Sequence, residues 1–164
     1  MTGQTRREWV LKSCLMIQIC LIVFAHTLWA QTAEEILTES GVQGGVVVHL
    51  GCGSPSTGSG QAGALTAALR AGDSYLVQGL AAGAETVGEA REFIRSKDLS
   101  GPISVKMLRG GRLPYVDDMV NLLVVSDDCG VSRREMERVL APGGVLWRDG
   151  ARLVKPWPDD IDGW

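Results

Sequence analysis

The chain has 164 residues, 45% of them hydrophobic and 21 of them glycine, with 16 basic against 19 acidic residues and a formal charge of −3. That length holds about one domain, and that apolar content excludes a disordered chain. An acidic balance without a Lys/Arg cluster lacks the electrostatic footprint of a nucleic-acid binder.

The first thirty residues stand apart. Arg6, Arg7 and Lys12 make a basic start, and Ser13 to Ala30 then runs without Asp, Glu, Lys or Arg. A basic start, an apolar run and a small closing residue describe a secretory signal cut after Ala30. The length of the run also suits an uncleaved membrane anchor. Thr5-Arg6-Arg7-Glu8 resembles the opening of a twin-arginine export signal, with an ordinary basic start as the simpler reading. Each reading implies export to the periplasm or cell envelope, with membrane contact only through residues 13–30. Without residues 1–30 the formal charge moves from −3 to −5.

Thr32-Ala-Glu-Glu35 has capping-box spacing and predicts a helix to about Ser40, ended by Gly41 and Gly44-Gly45. Val46 to Leu50 reads as a strand buried on both faces. A glycine-rich stretch follows to Gly63, overlapping a helix over about 61–71. Next come a strand over 74–80 and a helix over 84–96 with Val87, Ala90 and Ile94 as its apolar stripe. Strands are expected over 103–108 and 119–126. Ser132-Arg-Arg-Glu135 has the spacing of a second capping box, opening a helix to about Leu140 that Ala141-Pro-Gly-Gly144 stops. Val145-Leu-Trp147 is a fifth strand, and Leu153 to Trp164 reads as a Pro- and Asp-rich tail or linker. The expected organisation is therefore a signal or anchor over 1–30, an α/β domain over 31–152 and a tail over 153–164. Strands alternating with helices imply βαβ units and a parallel sheet covered on both sides.

The glycine stretch carries the chemistry, and three frames fit it. Gly53 to Gly58 has Walker A spacing, but Ser59 stands where a lysine must reach the phosphates. Gly58-Ser-Gly60-Gln-Ala-Gly63 spells the dinucleotide fingerprint, yet it lies well beyond the strand end, where the first glycine should make the turn. The third frame begins at the strand end itself, Val46-Val-Val-His-Leu-Gly51-Cys-Gly53.

Here the chain resembles the class I S-adenosylmethionine-dependent methyltransferases, whose first motif is a hydrophobic strand ending in a glycine turn. Two more segments carry the resemblance: Arg112-Leu-Pro-Tyr115-Val-Asp-Asp118-Met-Val-Asn121-Leu-Leu-Val-Val125, and Glu135-Met-Glu-Arg-Val-Leu-Ala-Pro-Gly-Gly144. The resemblance extends to exported bacterial proteins in which such a domain precedes a quinoprotein-like β-propeller, and the tail Lys155 to Trp164 is similar to their junction. It implies a doubly wound, Rossmann-like parallel sheet of methyltransferase type, strand order 3-2-1-4-5, with the last two strands absent or reduced to Leu153-Val154.

It also implies a ligand, S-adenosylmethionine, and its site residues. Gly51, Cys52 and Gly53 match the turn beside the methionine part. Leu80 and Ala81 close the second strand, where the superfamily places a carboxylate that accepts from both ribose hydroxyls. Arg109 stands where an acid contacts the adenine amino group. Asn121 replaces the superfamily's Asp in the fourth strand and reads as structural. Asp127 is the candidate general base, with Asp128 beside it and a solvated turn as the plainer reading. His49 reads as a hydrogen-bonded strand residue, with a catalytic role as the sharper alternative. Cys52 and Cys129 end neighbouring strands, so they are either separate buried thiols or a disulfide formed after export. There is no CxxC pair and no sign of a metal site. The function implied is methyl transfer to an acceptor the sequence does not name. The competing reading is a non-catalytic docking module for a propeller domain or an envelope protein.

Overall fold

The computed structural model describes residues 32–53 and 61–158. The expected signal or anchor, the stretch Ser54–Gly60 with the start of the dinucleotide frame, and the tail from Asp159 to Trp164 lie outside the described residues.

Helix α1 (Ala33–Ser40) opens on the expected capping box: Glu35 N–H donates to Thr32 Oγ1 at 3.2 Å, and Thr32 N–H donates to Glu35 Oε2 at 3.0 Å. Gly41 closes it in the left-handed region at φ 71°. There follow β1 (Gly45–Leu50), α2 (Ala64–Ala68), β2 (Tyr75–Ala81), α3 (Ala84–Ser96), β3 (Ile103–Met107), β4 (Val120–Val125), α4 (Arg133–Val139), β5 (Leu140–Arg148) and β6 (Ala151–Val154). They build a six-stranded sheet in the order β3-β2-β1-β4-β5-β6, with β1 to β5 parallel and β6 antiparallel to β5. This is the expected doubly wound order with one further edge strand.

Alternation along the strands divides the core into two layers. Val47, Val77, Val105, Leu122 and Val124 face α1, α2 and α3, where Ile36, Leu69, Ala90 and Ile94 meet them. Val48, Leu50, Leu80, Leu123 and Val125 face the other way, against Met136 and Val139 of α4 and Leu108 and Leu113 of the β3–β4 connection. Val47, Val48 and Leu50 are all fully buried, as a central parallel strand requires. Each such side chain contributes roughly 1.5–3 kcal/mol by leaving water.

Four local expectations are corrected. Helix α2 is five residues long rather than eleven, because Gly63 holds φ 85° at its N-cap and delays its start. Ser132 makes only half a capping box: its Oγ accepts from Glu135 N–H at 3.3 Å, but the Glu135 carboxylate turns to Leu113 N–H at 2.8 Å and to Arg138 at 2.7 Å. Strand β5 starts at Leu140, directly after α4, and carries Pro142-Gly143-Gly144 through a register shift against β4. Finally, Leu153-Val154 belongs to a strand that starts at Ala151, made by an Asp149-Gly150 hairpin turn with φ 50° and 76°. Chain beyond that strand stays attached. Lys155 pairs its main chain with Gly143 and Gly144, each at 2.9 Å, and its ammonium donates to Asp118 Oδ1 at 2.6 Å, Glu137 O at 2.9 Å and Leu140 O at 2.8 Å. A cation thus closes the C-terminal end of α4, where free carbonyls and the helix dipole favour it.

Candidate functional site

The order β2-β1-β4 places the chain reversal of a doubly wound sheet between β1 and β4, and ligands bind outside the carboxyl ends of strands at such a point. Gly51, Cys52, Ala81, Arg109 and Asp127 are all on this end of the sheet or on the loops that leave it.

At the end of β1 the main chain turns sharply. Gly51 N–H and Cys52 N–H both donate to Leu80 O, at 2.8 and 3.1 Å, and Gly53 N–H folds back on Gly51 O at 2.7 Å. Gly51 has φ 82°, and a Cβ there would collide with the main chain of Asp127. A Cβ on Gly53 would collide with Thr86 Cγ2 in the first turn of α3. Gly51 is required by the protein's own close packing, whatever ligand approaches, and a side chain on Gly53 would need the Thr86 methyl group to move.

Directly beneath the turn lies a polar chain that residue spacing did not reveal. His49 is buried, with Nδ1 2.7 Å from Thr66 Oγ1 on α2 and Nε2 2.8 Å from Ser126 Oγ at the end of β4. Burial drives its imidazole pKa down to about 4, so the ring is neutral and each of its nitrogens has a hydroxyl partner. The residue is the hydrogen-bonded strand histidine of the plainer reading. Its partners lie 17 and 77 residues away in sequence.

The end of β2 is different. Leu80 and Ala81 are buried, Ala81 O accepts from Leu108 N–H at 2.9 Å, and the only side chain Ala81 offers is a methyl group. Arg109 is exposed on the loop after β3. Asn121 at the start of β4 serves the sheet, its Oδ1 accepting from Val46 N–H at 2.9 Å. Asp127 Oδ1 accepts from Cys129 N–H at 2.9 Å and Asp128 Oδ1 from Gly130 N–H at 3.0 Å, the side chain-to-backbone bonds that build tight turns.

Among the described residues Cys52 and Cys129 are free thiols. Cys52 packs in the layer under α2 and α3, whereas Cys129 lies against the opposite layer. Burial pushes the Cys52 thiol up to about 11, with Cys129 as a smaller contributor, and burial followed by the Asp127 charge raises Cys129 as well. Both are protonated thiols at neutral pH, which makes them poor nucleophiles. No group of His, Cys, Asp and Glu among the described residues is arranged to hold a metal ion.

No family model and no curated protein matches the chain. Solved structures do. It is similar to a putative S-adenosyl-L-methionine-dependent methyltransferase from Methanococcus maripaludis, at 22% identity and TM-score 0.59 over 71% of this chain and 52% of that one. The putative methyltransferase solved with the Haloferax volcanii Trm112 activator gives 26% identity and TM-score 0.53 over 71% and 50%. A Streptomyces coelicolor geranyl diphosphate C-methyltransferase, solved with Mg2+, geranyl diphosphate and S-adenosyl-L-homocysteine, gives 17% and 0.55 over 70% and 42%. The fold is that of these methyltransferases, and the chain spans about half the length of the structures it matches.

Tested against such a ligand, the edge divides. The turn at Gly51–Gly53 keeps the main-chain half. The methyl group of Ala81 and the guanidinium of Arg109 supply no acceptor for ribose hydroxyls or an adenine amino group, so the side-chain half does not fit.

Proposed function

We propose that this chain is an S-adenosylmethionine-dependent methyltransferase-type domain with a weakened cofactor edge. The observation that carries the reading is the glycine turn at the β1 end, seated at the reversal point of a sheet whose neighbours are methyltransferases. A missing charged acceptor costs on the order of 1.5–3 kcal/mol. Two of them weaken binding by roughly a hundredfold to ten-thousandfold. The methyl acceptor is a separate, unassigned group. Calorimetric titration with S-adenosylmethionine, S-adenosylhomocysteine and NAD tests the reading. Heat from the first pair and none from NAD supports it. Silence from all three at millimolar concentration, on a folded chain, rejects it.

A second reading has its own support in Ala81, sealed and apolar where the ligand needs a carboxylate. In it the domain is a non-catalytic docking module of the cell envelope, exported through residues 1–30 and set beside a propeller domain or another envelope protein. Membrane contact is confined to residues 13–30. Fractionation of cells that express the full chain tests the location: recovery in the cytoplasm rejects it.

A further inference from the structure

The two faces of the sheet are covered unequally. Over β2 and β3, α3 buries Val77, Ile103 and Val105 to between 1% and 4% exposure. On the opposite face of the same two strands stand Leu76, Gln78, Ser104 and Lys106. Leu76 is 54% exposed there, and Ser104 and Lys106 are exposed. The cause is in the chain. A doubly wound fold puts a helix between each pair of parallel strands, yet the β3–β4 connection, residues 108–119, contains none. On this face α4 and the connection residues Leu108, Leu113 and Tyr115 cover β1, β4, β5 and Leu80, and the cover stops short of Leu76, Ser104 and Lys106. A parallel sheet with one flank bare is an unfinished arrangement, because such sheets are ordinarily covered on both sides.

Charge says what finishes it. Lys106 on β3 and Arg109 and Arg112 on the connection make no side-chain hydrogen bond and no ion pair with any described residue. The acids beside them are already engaged: Glu135 and Asp117 hold Arg138, and Asp118 holds Lys155. Lys106 thus stands on the bare flank and Arg112 near Tyr115, where its charge also reaches Glu135, in a domain whose formal charge without residues 1–30 is −5. Polar groups on the flank satisfy one another, with Gln78 Nε2 donating to Ser104 Oγ at 2.9 Å and Tyr115 O–H donating to Gln78 Oε1. Beyond Tyr115, a hollow of about 680 Å³ carries Arg112 and the 69%-exposed Val116.

We propose that this flank docks an acidic amphipathic helix of a partner protein, its apolar stripe on Leu76 and Val116 and its carboxylates on Lys106 and Arg112. The inference deepens the docking reading and rests on it, but it does not involve the cofactor edge.

The test uses two labelled synthetic peptides of about four helical turns, roughly 14 residues. They share one leucine stripe and differ in having Glu or Lys on the polar face. Fluorescence anisotropy with the full chain is expected to show the Glu peptide binding at least about tenfold tighter than the Lys peptide. The double variant Lys106→Glu/Arg112→Glu should abolish or reverse that preference, and Leu76→Glu should weaken the Glu peptide by about tenfold or more. Equal binding of the two peptides, no binding of either, or a preference that survives the double variant overturns the proposal. Hydrogen exchange on the unaltered chain covers the case of a misfolded variant: the Glu peptide must protect β2 and β3 amides, and protection elsewhere overturns it. Self-association of the chain that Leu76→Glu abolishes also overturns it, because a second copy then covers the flank. Peptide binding lost with S-adenosylmethionine binding kept removes the docking inference alone, and the reverse outcome removes the cofactor reading alone.

Discussion

The ends of β1 and β2 lie side by side in the sheet and have opposite characters. At β1 polar groups are bonded within the protein: two amides share Leu80 O, and His49 joins a helix hydroxyl to a hydroxyl at the end of β4. At β2 the chain ends in a buried methyl group. The first end carries stability and would survive the loss of any ligand. The second end offers a ligand no side-chain acceptor. A glycine turn alone is therefore weak evidence of a working site, because this one is explained by the fit of Asp127 and Thr86 around it.

The contrast can be broken hardest at Gly51. Gly51→Ala forces a side chain into the left-handed region and against the main chain of Asp127, a cost of roughly 2–5 kcal/mol from strain plus overpacking. Denaturant midpoints at constant slope measure it, and a loss below about 1 kcal/mol would mean the turn relaxes freely.

Next in size is His49. Its imidazole titrates near 6.5 unfolded and near 4 folded, so the unfolded chain holds more proton between those values. Its contribution is complete above about 6.5 and is lost as the pH falls toward 4, amounting to about 3 kcal/mol. Unfolding free energy measured from pH 7 to pH 4 should fall along that window, and His49→Gln should flatten the fall. An unchanged slope in the variant would assign the effect to other groups.

Ala81→Asp sharpens the comparison from the β2 side. The restored carboxylate should tighten S-adenosylmethionine at least about tenfold while lowering the stability of the free domain by roughly 1–3 kcal/mol, the cost of a buried polar group without a partner. Tighter binding without a stability loss would mean the site is wetter than Ala81 indicates. Smallest is Lys155→Met, which frees the carbonyls of α4 and should cost about 0.3–1 kcal/mol, read as a small drop in Tm.

Sequence legibility followed the range of the interactions. Central strands were readable because β1 and β4 are buried on both faces and so are apolar but for His49 and Asn121, and α3 because its stripe repeats at helical spacing. The expected strand order 3-2-1-4-5 is present, with β6 added by a two-residue turn at Asp149-Gly150 and running across the expected boundary between domain and tail. Failures came where a distant group competed with a local one. Glu135 leaves its capping box because Arg138 and the Leu113 amide reach it. The bond from His49 to Ser126 spans 77 residues and has no local signature. Ala81 and Arg109 could be placed by resemblance, but only the structure shows Ala81 sealed.

The central position of β1 also has a consequence in time. Its partner β4 arrives late, the Val46–Asn121 bond alone spanning 75 residues. At roughly 5–20 residues per second of synthesis, one edge of this central strand waits uncovered for about 4–15 seconds. A bare strand edge invites pairing with other chains. A newborn copy is therefore at its stickiest before its middle strand is closed in, and it depends on shelter during that interval.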